Sequence, residues 1–246
     1  YFCVISYLMG TPLTPYNSGE SKKEQVATMF NNVAGTYDFL NHFFSVGIDK
    51  LWRRKLVNLI GESNPKIILD VATGTADLAI AETKLHPEKI IGVDISEKML
   101  NVGREKIKKY PTIELQIGDS ENLQFDDNTF DAVSVSFGVR NFENVIAGLT
   151  EMKRVLKPEG KVFILEFSKP ENWFIQKIYY FYFCTVLPFI GKIVSKDASA
   201  YTYLPESVKI FPDGEKFVAL MQNVGFKNIE CKPLTFGIST IYIAKK

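Results

Sequence analysis

Two carboxylates and the small residues near them carry the clearest chemistry in this chain. Asp70 closes the apolar run Ile67, Ile68, Leu69 and is followed by Thr73, Gly74, Thr75 and Ala76, then by Leu78, Ala79 and Ile80. Such a run suits a central parallel strand buried on both faces. The turn residues are small enough for a ligand to approach the backbone, and the helix after them offers it free N–H groups. Asp94 closes the next apolar run, Ile90 to Val93, 24 positions beyond Asp70. An open α/β sheet places there the acid that grips a ribose diol. The dinucleotide fingerprint G-x-G-x-x-G is absent, since only Gly74 is a glycine. A strand, turn and helix of this kind also occur in folds that bind nothing there, so the turn alone leaves function open.

Other polar groups fall at corresponding places. Asp119 and Ser120 follow the run Ile113 to Ile117. An acid there can accept a hydrogen bond from an adenine amino group, or be a solvated turn carboxylate. Phe130 to Ser136 runs into Phe137, Gly138, Val139, Arg140 and Asn141, at the carboxyl edge where such sheets bind ligands. The stretch YDFLNHFFSVGIDKLWRR, Tyr37 to Arg54, reads first as helix packing, yet Tyr37, Asp38, Asn41 and His42 set several polar groups in its apolar patch.

The elements that must position these groups alternate between strand and helix. Val26, Met29 and Phe30 share a helical face after Lys22, and Leu51, Leu56, Leu59 and Ile60 mark another helix before the first strand. Ser96 is the N-cap of a helix to about Lys108, and a helix from about Asn144 to Leu156 turns through Pro158 and Gly160 into a fifth strand, Lys161 to Phe167. Asp213 is expected to cap a helix ending near Gly225, and Lys227 to Leu234 with Ile238 to Lys246 read as a closing antiparallel hairpin. Residues 171–210 break the alternation. The uncharged run Ile178 to Ile190 is rich in aromatics, but its 13 residues cannot cross a bilayer. It reads as a cap over the active face, either an ordinary buried helix or the wall of an apolar channel with bilayer contact.

The whole is therefore one α/β domain, residues 22–246, with N-terminal lid helices (22–60) and a cap insertion (171–210). Residues 1–21 read as a mobile arm, because Pro12, Pro15 and Gly19 stand among polar residues in its second half. Tyr1 to Gly10 is apolar but lacks a basic leader and is too short for an anchor; Met9 reads as a plausible start. At 246 residues and 46% hydrophobic composition the chain can bury a large core. Its 29 basic and 28 acidic residues give a net charge of +1, which argues against a nucleic-acid partner. Cys3, Cys184 and Cys231 are far apart and odd in number, as in a cytoplasmic protein with reduced thiols, and with two histidines no zinc site is expected.

The pattern acid, three residues, Gly, x, small resembles the first motif of the class I S-adenosylmethionine methyltransferases, with Ala76 for the usual second glycine. Longer blocks resemble the ubiquinone/menaquinone biosynthesis C-methyltransferase family from about Lys22 to the C-terminus. They are YD-x-x-N-x-x-x-S from Tyr37 to Ser45 with Trp52, SFGVRN from Ser136 to Asn141, RVLKPEGKVFILEFSKP from Arg154 to Pro170, and YTYLPESV from Tyr201 to Val208. The resemblance implies a Rossmann-like, mostly parallel sheet with a C-terminal antiparallel hairpin strand and a helical cap. It implies S-adenosyl-L-methionine as cofactor, with contacts at Thr75, Asp94, Asp119, Ser120 and Ser136 beside Asp70 and Gly74. It implies C-methylation of a reduced demethylmenaquinone ring, with a ubiquinone precursor or another lipid-like acceptor as the alternative.

In that reaction Arg140 would stabilise phenolate charge, or else serve only as a structural salt bridge at a strand end, and Tyr37, Asp38, Asn141 or His42 would orient the ring or relay its proton. The partner is then an isoprenoid quinol, at the inner face of a membrane if the cap touches lipid, and a homo-oligomer stays open. A non-catalytic scaffold in a quinone-synthesis complex is the rival from another class, which intact Asp70, Gly74 and Asp94 oppose. Asp49 departs from the family, many of whose members have histidine there, so the resemblance carries no catalytic base to that position, or implies that the role has passed to another residue.

Overall fold

The computed structural model describes residues 13–16, 18–45, 47–186 and 199–246. The readings of Tyr1 to Gly10, of Met9 and of residues 187–190 lie outside them. Three helices precede the sheet: α1 (Lys22–Val33), α2 (Tyr37–Phe44) and α3 (Ile48–Gly61). The sequence SKKE starts α1 by a capping box, in which the Ser21 hydroxyl and the Glu24 carboxylate each satisfy a free backbone N–H at the helix start. Leu13 and Tyr16 pack against this helix, and Gln25 accepts from the Tyr16 N–H at 2.9 Å.

The sheet then forms from β1 (Ile67–Val71), β2 (Lys89–Asp94), β3 (Ile113–Ile117), β4 (Phe130–Ser136), β5 (Leu156–Phe167), β6 (Lys227–Leu234) and β7 (Ser239–Lys245). Their order is β3-β2-β1-β4-β5-β7-β6; β1 to β5 pair in parallel, and β7 runs antiparallel to both β5 and β6. Chain order reverses between β1 and β4, which opens a crevice at their carboxyl ends. Helices α4 (Asp77–Glu82), α5 (Glu97–Ile107) and α6 (Val145–Val155) connect the parallel strands. Ser96 and Asn144 cap the last two by accepting from Met99 and Ala147 N–H. Apolar side chains of β1, β4 and β5 alternate between two cores, one on each face of the sheet.

The cap comprises α7 (Trp173–Phe181), a wider turn Tyr182–Val186, and α8 (Ser199–Ile210); α9 (Glu215–Val224) follows. Three local expectations change. β5 begins at Leu156, which pairs with Phe130, so the turn at Pro158 and Glu159 is a distortion within the strand. Gly214 is the N-cap of α9, because Asp213 instead pairs with Lys169 and accepts its backbone N–H. Leu51 is 61% exposed, the core face of α3 being Trp52, Leu56, Leu59 and Ile60. Arg154, from the longest signature block, serves the fold, tying Glu151 and Asp127 to the Leu123 and Phe125 carbonyls.

Beneath the β1 turn, Glu82 is fully buried beside Asp70. Burial, and next the charge of Asp70, push its carboxyl well above the ordinary range. The folded state thus holds a proton that the unfolded chain releases near pH ~4.3, and stability falls as pH rises from there through the folded pKa. Glu82→Gln should remove this loss, stabilising the protein at pH 8 by about 1–3 kcal/mol while melting like the parent at pH 5. A melting temperature with the parent's full pH slope would assign the titration elsewhere.

Candidate active site

Three cavities meet at the carboxyl edge of β1 and β4, and Tyr37 and Phe137 line all of them. Both strands leave the sheet through left-handed residues, Ala72 at φ 53° and Phe137 at φ 58°, backbone strain of the sort that collects at functional sites. Gly138 is required between them, since a Cβ there would lie 2.6 Å from the Ala72 Cβ.

The first cavity follows β1, β2 and β3. Gly74 turns at φ 57°, and Asp94 accepts its N–H at 2.8 Å on one oxygen and the Ser96 N–H at 2.8 Å on the other. Burial raises the Asp94 carboxyl, against the pull of those backbone donors. A carboxylate has about four lone-pair sites, so two donors leave room for a ligand's diol. Val93, Ile95, Met99, Gly118, Asp119 and Ser120 line the same cavity. Lys23 from α1 reaches across it to Asp119 at 2.5 Å.

The third, smaller cavity lies under the glycine turn, along Asp70, Thr73, Thr75 and Asp77. Asp70 accepts the Thr73 hydroxyl at 2.6 Å, and burial pushes its carboxyl up to about 7. Thr75 faces this cavity, but its hydroxyl is engaged at 2.5 Å by Asp38, whose other oxygen takes Lys106 at 2.8 Å. Ser136 lines the first and third cavities, and its hydroxyl is buried without a partner; so is the Asn141 Oδ1, between the first and second. Unpartnered polar atoms in a cleft are costly unless a ligand completes them. Together with the diol-sized opening at Asp94, they fit a nucleoside cofactor.

The second cavity encloses about 490 Å³, within the range of small-molecule sites. Its wall is mostly apolar: Met29, Trp52, Phe167, Ile178, Tyr179 and Phe236, among others, come from the lid, β5, the cap and the β6–β7 connection. Tyr37, Asn41, Asp49, Arg53, Arg140 and Asn141 supply polar groups at the end nearest the other cavities. Arg140 is 9% exposed and pairs at 2.8 Å with the fully buried Glu166, which also accepts the Arg140 backbone N–H; its guanidinium lies 5.3 Å from the Phe167 ring centre. The Arg140 Nε has no partner. Burial raises the Tyr37 phenol above its ordinary value, so it stays a donor at neutral pH.

The structure thus gathers Asp70, Gly74, Thr75, Asp94, Asp119, Ser120, Ser136, Tyr37, Arg140 and Asn141 around connected cavities. Asp38 and His42 line none of the three: Asp38 is turned to Thr75 and Lys106, and His42 to Asp49 at 2.9 Å. Residues that sequence reasoning left unassigned also enter the site. Glu166 holds Arg140, and an acid inside the apolar run VFILEF was the signal, since a buried carboxylate needs a partner. Asp49 is marked in the sequence only as a departure from the family's histidine, and Arg53, one helical turn on, carries no mark.

Residues 18–246 match the ubiE/COQ5 methyltransferase family. The demethylmenaquinone methyltransferase of Bacteroides fragilis (strain ATCC 25285) is 48% identical over 95% of this chain and 97% of its own length. The ubiquinone/menaquinone biosynthesis C-methyltransferase UbiE of Geobacter sulfurreducens is 45% identical over 95% and 93%. Among solved structures, a SAM dependent methyltransferase from Aquifex aeolicus is 20% identical with a TM-score of 0.53 over 73% of this chain and 81% of that one. The [4+2]-cyclase SpnF is 16% identical with a TM-score of 0.65 over 96% and 98%. Likenesses at this identity show a shared fold, and the fold alone does not set the chemistry.

Because Asp94 holds the glycine turn and faces the cavity, Asp94→Ala should weaken S-adenosylmethionine binding by about 1.5–3 kcal/mol in calorimetric titration, the range for hydrogen bonds to a charged group. Unchanged affinity in a folded variant would take the ribose away from Asp94.

Proposed function

The chain belongs to the ubiE/COQ5 methyltransferase family, and we propose that it C-methylates a reduced demethylated menaquinone whose isoprenoid tail occupies the large apolar cavity. The observation that carries this reading is the junction at Tyr37 and Phe137, where a cleft that carries Asp94, Asp119 and Ser120 opens onto an apolar cavity with the Arg53 and Arg140 guanidinium groups in its wall. In this reading residues 22–246 act as one methyltransferase domain, with a lid at 22–60 and a cap at 171–210. Asp94 holds the ribose, Asp119 and Ser120 the adenine side, and Gly74, Thr75, Ser136 and Asp70 the sulfonium end. Bound S-adenosylmethionine would supply an electrophilic methyl group on positively charged sulfur.

The protein's own work is alignment and charge control. A hydroquinone carbon beside a hydroxyl becomes nucleophilic as that hydroxyl loses its proton. Holding it against the methyl group can supply about 7–11 kcal/mol of barrier lowering in well-aligned systems. Phe137 and Tyr37 form the wall on which the ring is placed, and Asn141 offers an unpartnered amide oxygen to its hydroxyl. Arg140 stays protonated and can hydrogen-bond phenolate oxygen through Nε, while Glu166 fixes the other side of the guanidinium.

The tail accounts for the cap. Trp173, Phe174, Ile178 and Phe181 on α7 are each more than half exposed, as is Phe236, and Ile178 and Phe236 also line the cavity. The exposed face is therefore continuous with the cavity wall, as suits a mouth against a bilayer surface, from which a long-tailed quinol would enter. Lys177 sits over the Trp173 ring, adding a cation at the headgroup level. Among the described residues no helix is long and apolar enough to cross a membrane.

Mass spectrometry of reactions with reduced demethylated naphthoquinone and benzoquinone acceptors tests the reading; transfer to neither would end it, and preference for the benzoquinone would move it to a ubiquinone precursor. Arg140→Lys keeps a cation beside Glu166 but loses the planar fork, so turnover should fall roughly 10- to 100-fold, guided by oxyanion-donor losses, with cofactor affinity within a few-fold. A variant at the parent's rate would put phenolate stabilisation elsewhere. Replacing Trp173, Phe174 and Phe181 with serine should abolish cosedimentation with phosphatidylcholine vesicles and raise KM for a long-tailed quinol at least several-fold, leaving a tail-free analogue unaffected; equal effects on both acceptors would make the cap purely structural.

A further inference from the structure

Asp49 is the one carboxylate among the described residues lining the large cavity. It is 5% exposed in the first turn of α3, and three side chains converge on it: the Ser45 hydroxyl at 2.5 Å, Arg53 at 2.5 Å and the His42 Nδ1 at 2.9 Å. The far side of the His42 ring, Nε2, lies 3.7 Å from the Asp77 carboxylate, and both those side chains are 28% exposed. The groups therefore run in a line from an apolar cavity through a buried acid and an imidazole to solvent.

We propose, on the reading that the acceptor is a hydroquinone, that Asp49 is the base that takes its hydroxyl proton and that His42 is a positioning residue that passes the proton outward. The other ionisable groups on the same wall do not fit that role. Arg53 and Arg140 remain protonated at neutral pH, and the phenol of Tyr37 is held protonated by burial. The charged groups facing the pair are Arg53 on α3, Asp77 on α4, Lys106 on α5 against Asp77, and Arg140 across the cavity. Arg53 contacts both Asp49 and Asp77, so it keeps the two carboxylates close while the imidazole between them exchanges protons.

The step balances without a further reactant. The hydroxyl proton moves to an Asp49 oxygen and leaves through His42, and the freed oxygen pair feeds the ring. The adjacent ring carbon bonds to the methyl carbon as the carbon–sulfur bond breaks with its electron pair on sulfur. The ring carbon's own hydrogen then leaves as a proton to the restored carboxylate, rearomatising the ring, and Asp49 returns that proton to the phenolate oxygen. In sum a ring hydrogen is replaced by methyl, the sulfonium becomes a neutral thioether, and one proton reaches solvent.

The test compares Asp49→Asn, His42→Asn and the reversed pair His42→Asp with Asp49→His, using reduced demethylated naphthoquinones of graded hydroxyl acidity. Parent activity on these quinols is read first, so its absence condemns the acceptor assignment independently of Asp49. Asp49→Asn should lose roughly 100-fold or more in kcat, the scale of general-base catalysis, with calorimetric cofactor affinity within a few-fold, and should lose least with the most acidic acceptor. His42→Asn should lose about 10-fold and shift the acid limb of the pH–rate profile. The reversed pair should recover at least 10-fold over Asp49→Asn, because it restores an acid and an imidazole in contact. Asp49→Asn at the parent's rate overturns the proposal. So does a loss equal for all acceptors and matched by a lowered melting temperature, which would leave Asp49 only its ion pair with Arg53. Should Asp49→Asn fail to fold, the reversed pair decides: recovery with the acidity dependence supports the relay, and a folded but inactive pair refutes it.

Discussion

A carboxylate withdrawn from water must find donors, and at the switch point of this sheet the backbone provides them. Asp94 is held by the N–H groups of Gly74 and Ser96, which lie on different strand-to-helix turns. One side chain thereby sets the spacing between the turn after β1 and the turn after β2. The lid builds on the same turns: Asn31 of α1 accepts from the Ser96 hydroxyl and from the Lys98 N–H. Were the acid replaced by an apolar residue, those N–H groups would lose their partner and the lid its platform.

The lid is tied down by charges reaching across long stretches of chain. Lys22, buried in the lid, donates to the carbonyls of Arg140 and Phe142, and its burial lowers its pKa to about 8. Lys23 reaches Asp119, and Lys106 holds Asp38 and Asp77. These pairs are partly exposed and individually weak, which suits a cover that must admit a ligand to the cleft beneath it.

A fold of this outline also serves a [4+2]-cyclase, so the chemistry rests on side chains brought to the crevice. Here the decisive set spans lid and sheet: Tyr37, Asn41, Asp49 and Arg53 from α2 and α3 face Phe137, Arg140 and Asn141 from the β4 turn. Glu166 below Arg140 holds that guanidinium in place as a partner 26 residues away in sequence. The cavity exists because the cap and the β6–β7 connection close over it.

What the residues alone determined is local. Runs such as Ile67 to Leu69 and Phe130 to Ser136 read as strands because they are short, rich in β-branched residues and closed by small turn residues. Asp70 and Asp94 stand near the carboxyl ends of β1 and β2, so the cofactor cleft was legible in outline, and the block SFGVRN pointed to the acceptor end. Hidden were the contacts between segments with no shared period. Asp38 and His42 stand beside Tyr37 in sequence, yet the helical rotation of α2 sends them away from the cavities, toward Thr75 and Asp49. Asp49 enters the cavity wall because α3 packs through Trp52 against Phe137 and Phe167, 6.0 and 6.2 Å between ring centres. Only tertiary packing could decide this, since a helix presents each side chain at an angle fixed by its neighbours in space, and the pairing of Asp49 with His42 depends on two helices meeting.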